Sequence, residues 1–155
     1  MNQTTVATVE GSILDCGIAE AAAVIIPPGL TAIKWEGTEF FQKITDRHPQ
    51  GLFDLAQVKP GNGTLRHILY VDTTDNRISG VEDMKALAFK ILKTFARLSV
   101  RTVAMNGIRC DNRPDMGIRP EVYQKQFIEQ YLAENPGTFD KIVLVDLRGG
   151  FGKDK

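Results

Sequence analysis

Residues 103–114, VAMNGIRCDNRP, run from apolar Val103, Ala104 and Met105 straight into Asn106, Gly107, Ile108 and Arg109, with Asp111 and Arg113 close behind. A polar, glycine-containing loop at the end of a core strand is where α/β proteins often hold ligands. Glycine there bares backbone N–H groups, and the guanidinium groups of Arg109 and Arg113 add positive charge. The chemistry that suits this pattern is capture of an anion. Asp111 partly opposes that charge, and Asn-Gly is also a common turn pair.

Other reactive side chains are sparser. Asp72 and Asp75 follow the apolar run HILYV and suit acid–base work or a metal, although aspartates at strand ends more often cap or turn. The two cysteines, Cys16 and Cys110, lack close spacing and lack a sequence-local histidine partner; free thiols in a reducing compartment fit them better than a disulfide framework. His48 and His67 have no metal-ligand spacing with either cysteine, so no metal site is expected. Trp35, the single tryptophan, suits stacking on a base or ribose and equally suits packing in the core or at a rim. The sequence has no Walker loop, no G-x-S-x-G and no dinucleotide fingerprint. One RGGFGK near the end is similar to fragments of arginine–glycine RNA-binding segments, and a flexible terminus explains it as well.

Six strands and three helices must position these groups. Strands are expected at 4–10, 21–26, 53–58, 65–72, 100–105 and 141–147, from alternation or continuous β-branched and aliphatic runs. KPGNGT joins the third and fourth, and so short a connection favours an antiparallel hairpin. A short helix is expected at 37–46, with Phe40, Phe41 and Ile44 on one face. A long helix at 81–98 carries Met84, Leu87, Ala88, Ile91, Leu92 and Phe95 at three- and four-residue intervals, with Ser79 and Glu82 as a capping box. A second long helix, 120–134, starts on Pro120 and stops at NPG, with Val122, Phe127, Tyr131 and Leu132 facing inward. Helix, strand, helix, strand in the second half predicts parallel crossovers. The fold class is α/β with a mixed sheet.

The element order and three strings resemble the macrodomain family. VEGSILDCGIAEAAAVIIPPG is similar to that family's opening strand, Gly-Asp-Ile turn and second strand; KPGNGTLRHILYVDTTD resembles its proline–glycine turn and ligand-side strand; ARLSVRTVAMNGI resembles the helix and strand that lead into a Ser/Thr-Gly-Ile/Val loop. The resemblance implies a three-layer α/β/α fold with a central mixed, largely parallel sheet. It also implies a strand-end cleft for ADP-ribose or a related nucleotide, lined by Ser12, Ile13, Trp35, Gly37, Asn106, Gly107, Ile108 and Arg109. The chain departs from the pattern at several points. Ser12 stands where the family's adenine-binding aspartate would be, and Pro27-Pro28 where it carries asparagines. Proline has no side-chain donor and no backbone N–H. The first phosphate loop is reduced to KWEGTEF, in which Gly37 is the one glycine and Glu36 would repel phosphate. Gly107-Ile108 retain the second loop, with Asn106 in place of its hydroxyl residue. The resemblance therefore implies binding without efficient ADP-ribosyl hydrolysis, or a degenerate fold with a closed cleft that serves as a structural or protein-interaction module. No catalytic residue is assigned.

Chain length and composition fit one domain, set at 1–148 with a tail at 149–155. The chain has 155 residues, 43% hydrophobic and 25% charged, and 19 basic residues balance 19 acidic ones. A neutral total argues against nucleic acid as a partner. No apolar stretch is long enough to span a membrane, and the N-terminus has no secretion-signal pattern. The expectation is a cytoplasmic protein without a cofactor, whose partner is a nucleotide or phosphorylated small molecule.

Overall fold

The computed structural model describes residues 4–10, 19–26, 43–45, 53–61, 63–72, 81–107 and 120–146. Six strands form one sheet: β1 (Thr5–Glu10), β2 (Ala21–Ile26), β3 (Phe53–Gln57), β4 (His67–Asp72), β5 (Thr102–Met105) and β6 (Lys141–Asp146), in the order β1-β6-β5-β2-β4-β3. Every neighbouring pair is parallel except β3–β4. The antiparallel pair is the hairpin expected from KPGNGT; Gly61 and Gly63 turn it at φ values of 93° and 61°, which only glycine adopts without a Cβ penalty.

Two long helices, α1 (Val81–Ala96) and α2 (Pro120–Glu134), lie on one face of the sheet. The topology requires this. The chain steps from β4 through α1 to β5 and from β5 through α2 to β6, twice in the same direction, and right-handed crossovers then place both helices on the same side. Met84, Ala88, Ile91, Leu92 and Phe95 of α1 and Ile128 and Tyr131 of α2 pack on Ala21, Ala23, Ile25, Leu69, Val103, Met105, Ile142 and Leu144. The alternate strand residues Ala22, Val24, Ile68, Tyr70, Ala104, Val143 and Val145 form a second cluster on the opposite face with Ile44, from the helical residues 43–45. Both faces are therefore buried, in a three-layer α/β/α arrangement. That is why β2 and β6 read as unbroken apolar runs rather than alternating ones.

α1 carries Glu82 and Asp83 in its first turn and Lys93 in its last, the charge arrangement that complements the helix dipole. It ends two residues before the expected Leu98. Leu98 N–H bonds to the Phe95 carbonyl at 3.0 Å, a tightened last turn, and Ser99 turns left-handed at φ 59°. Lys90 lies 4.2 Å from the ring centroid of Phe53, tying α1 to the edge strand β3. In α2 the inward stripe differs from the expected one. Gln124, Ile128 and Tyr131 are the buried positions, whereas Phe127 and Leu132 are half-buried flanks and the side chain of Val122 lies outside the described set. Ser79, expected to cap α1, also lies outside it.

Candidate functional site

β2 and β5 are neighbours whose chains leave in opposite directions. From β2 the chain goes on to β3 and β4 by way of residues 43–45 on one face; from β5 it goes to β6 by way of α2 on the other. Such a divergence at the carboxyl ends of parallel strands is a topological switch point, where open α/β sheets form a ligand crevice. Asn106 and Gly107 are the first two residues past β5 and lie half-buried at that point.

The side chain of Asn106 crosses the gap. Its Oδ1 accepts the Ile25 N–H at 2.7 Å and its Nδ2 donates to the Ile25 carbonyl at 2.8 Å. Backbone pairing between the strands runs in register from Ala21↔Val103 to Ala23↔Met105. Had it continued, Ile25 N–H would have gone to the main-chain carbonyl of residue 106. That carbonyl instead accepts from Gln124 Nε2 of α2 at 3.0 Å. The side-chain amide thus substitutes for a peptide group, and the main chain leaves the sheet one step early. Gln124 is fully buried, and polar burial of this kind holds only where hydrogen bonds compensate it.

Of the residues expected to line the cleft, the structure places Asn106 and Gly107 together at the switch point. Ser12, Ile13, Trp35, Gly37, Ile108 and Arg109 lie outside the described residues, as do Pro27, Pro28, Arg113, Asp75 and both cysteines. Among the described residues, no group of three His, Cys, Asp or Glu side chains is arranged to hold a metal, and no helix is long and apolar enough to cross a membrane.

The opposite end of the sheet, where the strands begin, holds a polar depression of about 530 Å³ that sequence reasoning did not anticipate. Glu20 organises it. Its Oε1 accepts the N–H groups of Arg101 at 2.8 Å and Thr102 at 3.2 Å, its N–H donates to Thr102 Oγ1 at 2.9 Å, and its carbonyl accepts from Arg66 and His67. Arg101 in turn donates to the carbonyls of Gly137 and Thr138 and to Asp140 Oδ1 at 2.7 Å. The hydrogen bond from Arg101 holds the Asp140 carboxyl below its ordinary value. These groups fasten β4, β2, β5 and β6 to one another. Glu20 Oε1 and Arg101 Nη1 are engaged by the protein's own backbone, and Arg101 Nη2 by Asp140, so these two residues act here as a fastening.

Burial pushes the His67 imidazole below its usual value of 6.5, with Arg66 acting the same way and Glu20 opposing. On acidification the unfolded chain therefore binds this proton first, and stability is lost as pH falls below 6.5 toward the lower native value. His67→Gln is expected to flatten that part of the profile. Urea midpoints of both proteins at about pH 7.5 and about pH 5.5 check it; an unchanged slope would mean that His67 does not contribute.

No family model matches the sequence, and no curated protein matches it. Solved structures do match its fold. The macrodomain of Mycobacterium tuberculosis DarG superposes with a TM-score of 0.62 at 13% identity, over 91% of this chain and 97% of that one. The macrodomain of Thermus aquaticus DarG gives 0.63 at 16% identity, over 93% and 99%. A Trypanosoma brucei macrodomain in complex with ADP-ribose gives 0.61 at 10% identity, covering 92% of this chain and 63% of that one. The fold is macrodomain-like.

Proposed function

We propose that this protein binds an ADP-ribose-like nucleotide, or another anionic small ligand of that kind, in the crevice at the carboxyl ends of β2 and β5, without efficient ADP-ribosyl hydrolysis. The observation that carries this reading is the switch point itself. Asn106-Gly107 lie at its mouth, on a fold shared with a Trypanosoma brucei macrodomain solved with ADP-ribose. Glycine at this point lets a diphosphate approach the backbone closely. Ser12, Ile13, Trp35, Gly37, Ile108 and Arg109 complete the lining in this reading, with Arg109 supplying positive charge. Hydrolysis is not expected, because Pro27 and Pro28 offer no amide where the family carries asparagines.

Isothermal calorimetry with ADP-ribose, ADP and AMP tests the reading. Saturable heat that disappears in Gly107→Glu, which sets a carboxylate against the phosphates, is the expected result. No heat with any of the three at about millimolar ligand would leave the fold as an interaction module with a closed cleft. Release of ADP-ribose from a modified protein incubated with this chain would overturn the no-hydrolysis part.

A further inference from the structure

We propose that Asn106 is a positioning residue, acting on ligand through the backbone of Gly107 rather than by touching it. This rests on the crevice reading above. Both polar atoms of the Asn106 side chain hold Ile25, at 2.7 and 2.8 Å. Turning the amide toward a ligand would break both bonds and strip the N–H and carbonyl of Ile25, a fully buried residue. The main-chain carbonyl of the same residue is held from the other side by Gln124, itself fully buried on α2. Asn106 is thus gripped at three atoms by two elements, β2 and α2. The next residue in the chain, Gly107, has its direction of departure from the sheet set by that grip. A glycine has no side chain with which to fix itself, so its N–H can be preorganised for an anion only by its neighbours. Gln124, one turn into α2, extends the grip to the helix that follows the loop.

The role predicts which part of a ligand suffers. In Asn106→Ala, affinity for ADP-ribose and for ADP is expected to fall about tenfold or more, while affinity for adenosine, which has no phosphate to meet Gly107, changes less than about twofold. Gln124→Met, which retains the volume and removes the donor, is expected to show the same split more weakly. Equal weakening for all three ligands would mean loss of general stability and would overturn the proposal, as would no weakening for any. A second measurement needs no ligand: amide hydrogen exchange by NMR. In Asn106→Ala the Ile25 amide is expected to exchange at least about tenfold faster relative to Ala23, which keeps its backbone pairing with β5. Unchanged relative exchange would overturn the grip. If Asn106→Ala does not fold, Gln124→Met carries the affinity comparison. A wild-type protein that binds none of the ligands would defeat the crevice reading, and the exchange result would then decide the grip alone.

Discussion

Phe95→Ala is expected to cost about 3–5 kcal/mol of folding free energy, which is a large part of the roughly 5–15 kcal/mol a domain possesses. Phe95 lies on the inner face of α1, is fully buried, and is among the largest side chains with no exposure. It belongs to the cluster that joins both helices to the central strands β2, β5 and β6, so no single loop can collapse into the space it would leave. The cost combines lost transfer free energy with an unfilled cavity. In urea, with a slope of about 2 kcal/mol per molar, the midpoint should fall by roughly 2 M. Phe95→Leu, which leaves a smaller void, should lose less than half as much. A midpoint shift under about 0.5 M for the alanine variant would show that the helix layer repacks freely.

Glu20→Ala is the second large effect, and it is one of hydrogen bonding rather than packing. Removing the carboxylate leaves the N–H groups of Arg101 and Thr102 without the acceptor they share, at a half-buried site. At about 1–3 kcal/mol for each stranded donor, the loss should reach about 2–4 kcal/mol. Glu20→Gln retains an oxygen in the same place and should cost less than about 1 kcal/mol. The contrast between the two variants, read as urea midpoints with unchanged slope, is the check. Equal midpoints would mean that water replaces the carboxylate.

The same residue shows why the fold was more legible than its edges. Ala21–Ile26 and Pro120–Glu134 match their expected spans, because an unbroken aliphatic run and a proline start are local signals. The strands expected from Leu65 and from Val100 begin instead at His67 and Thr102. In both cases Glu20 supplies the reason: its carbonyl takes the N–H groups of Arg66 and His67, and its carboxylate takes those of Arg101 and Thr102. Nothing near residue 65 or 100 in the sequence announces a partner that distant. Asn106 is a similar case. Its apparent choice lay between turn and anion site, but its bonds go to Ile25, 81 positions away, and become readable only once β2 is known to lie beside β5. Gln124 gives no local signal either, because a polar residue on a helix normally faces water, and its hydrogen bond to the Asn106 carbonyl helps to compensate its burial.

The sheet order also sets a timetable for folding. β1 pairs only with β6 among the described strands, and Thr4 Oγ1 donates to the carbonyl of Phe139 from 135 positions away. Closing so long a loop has to precede any gain from that pairing, so β1 is expected to dock late in folding. The part from β2 to β6, with its two crossover helices, can form from nearer contacts first. During synthesis β1 emerges earliest and waits longest, an unpaired strand with Val9 still 40% exposed even in the finished fold. Moving β1 by circular permutation to follow β6 would remove that wait and speed refolding.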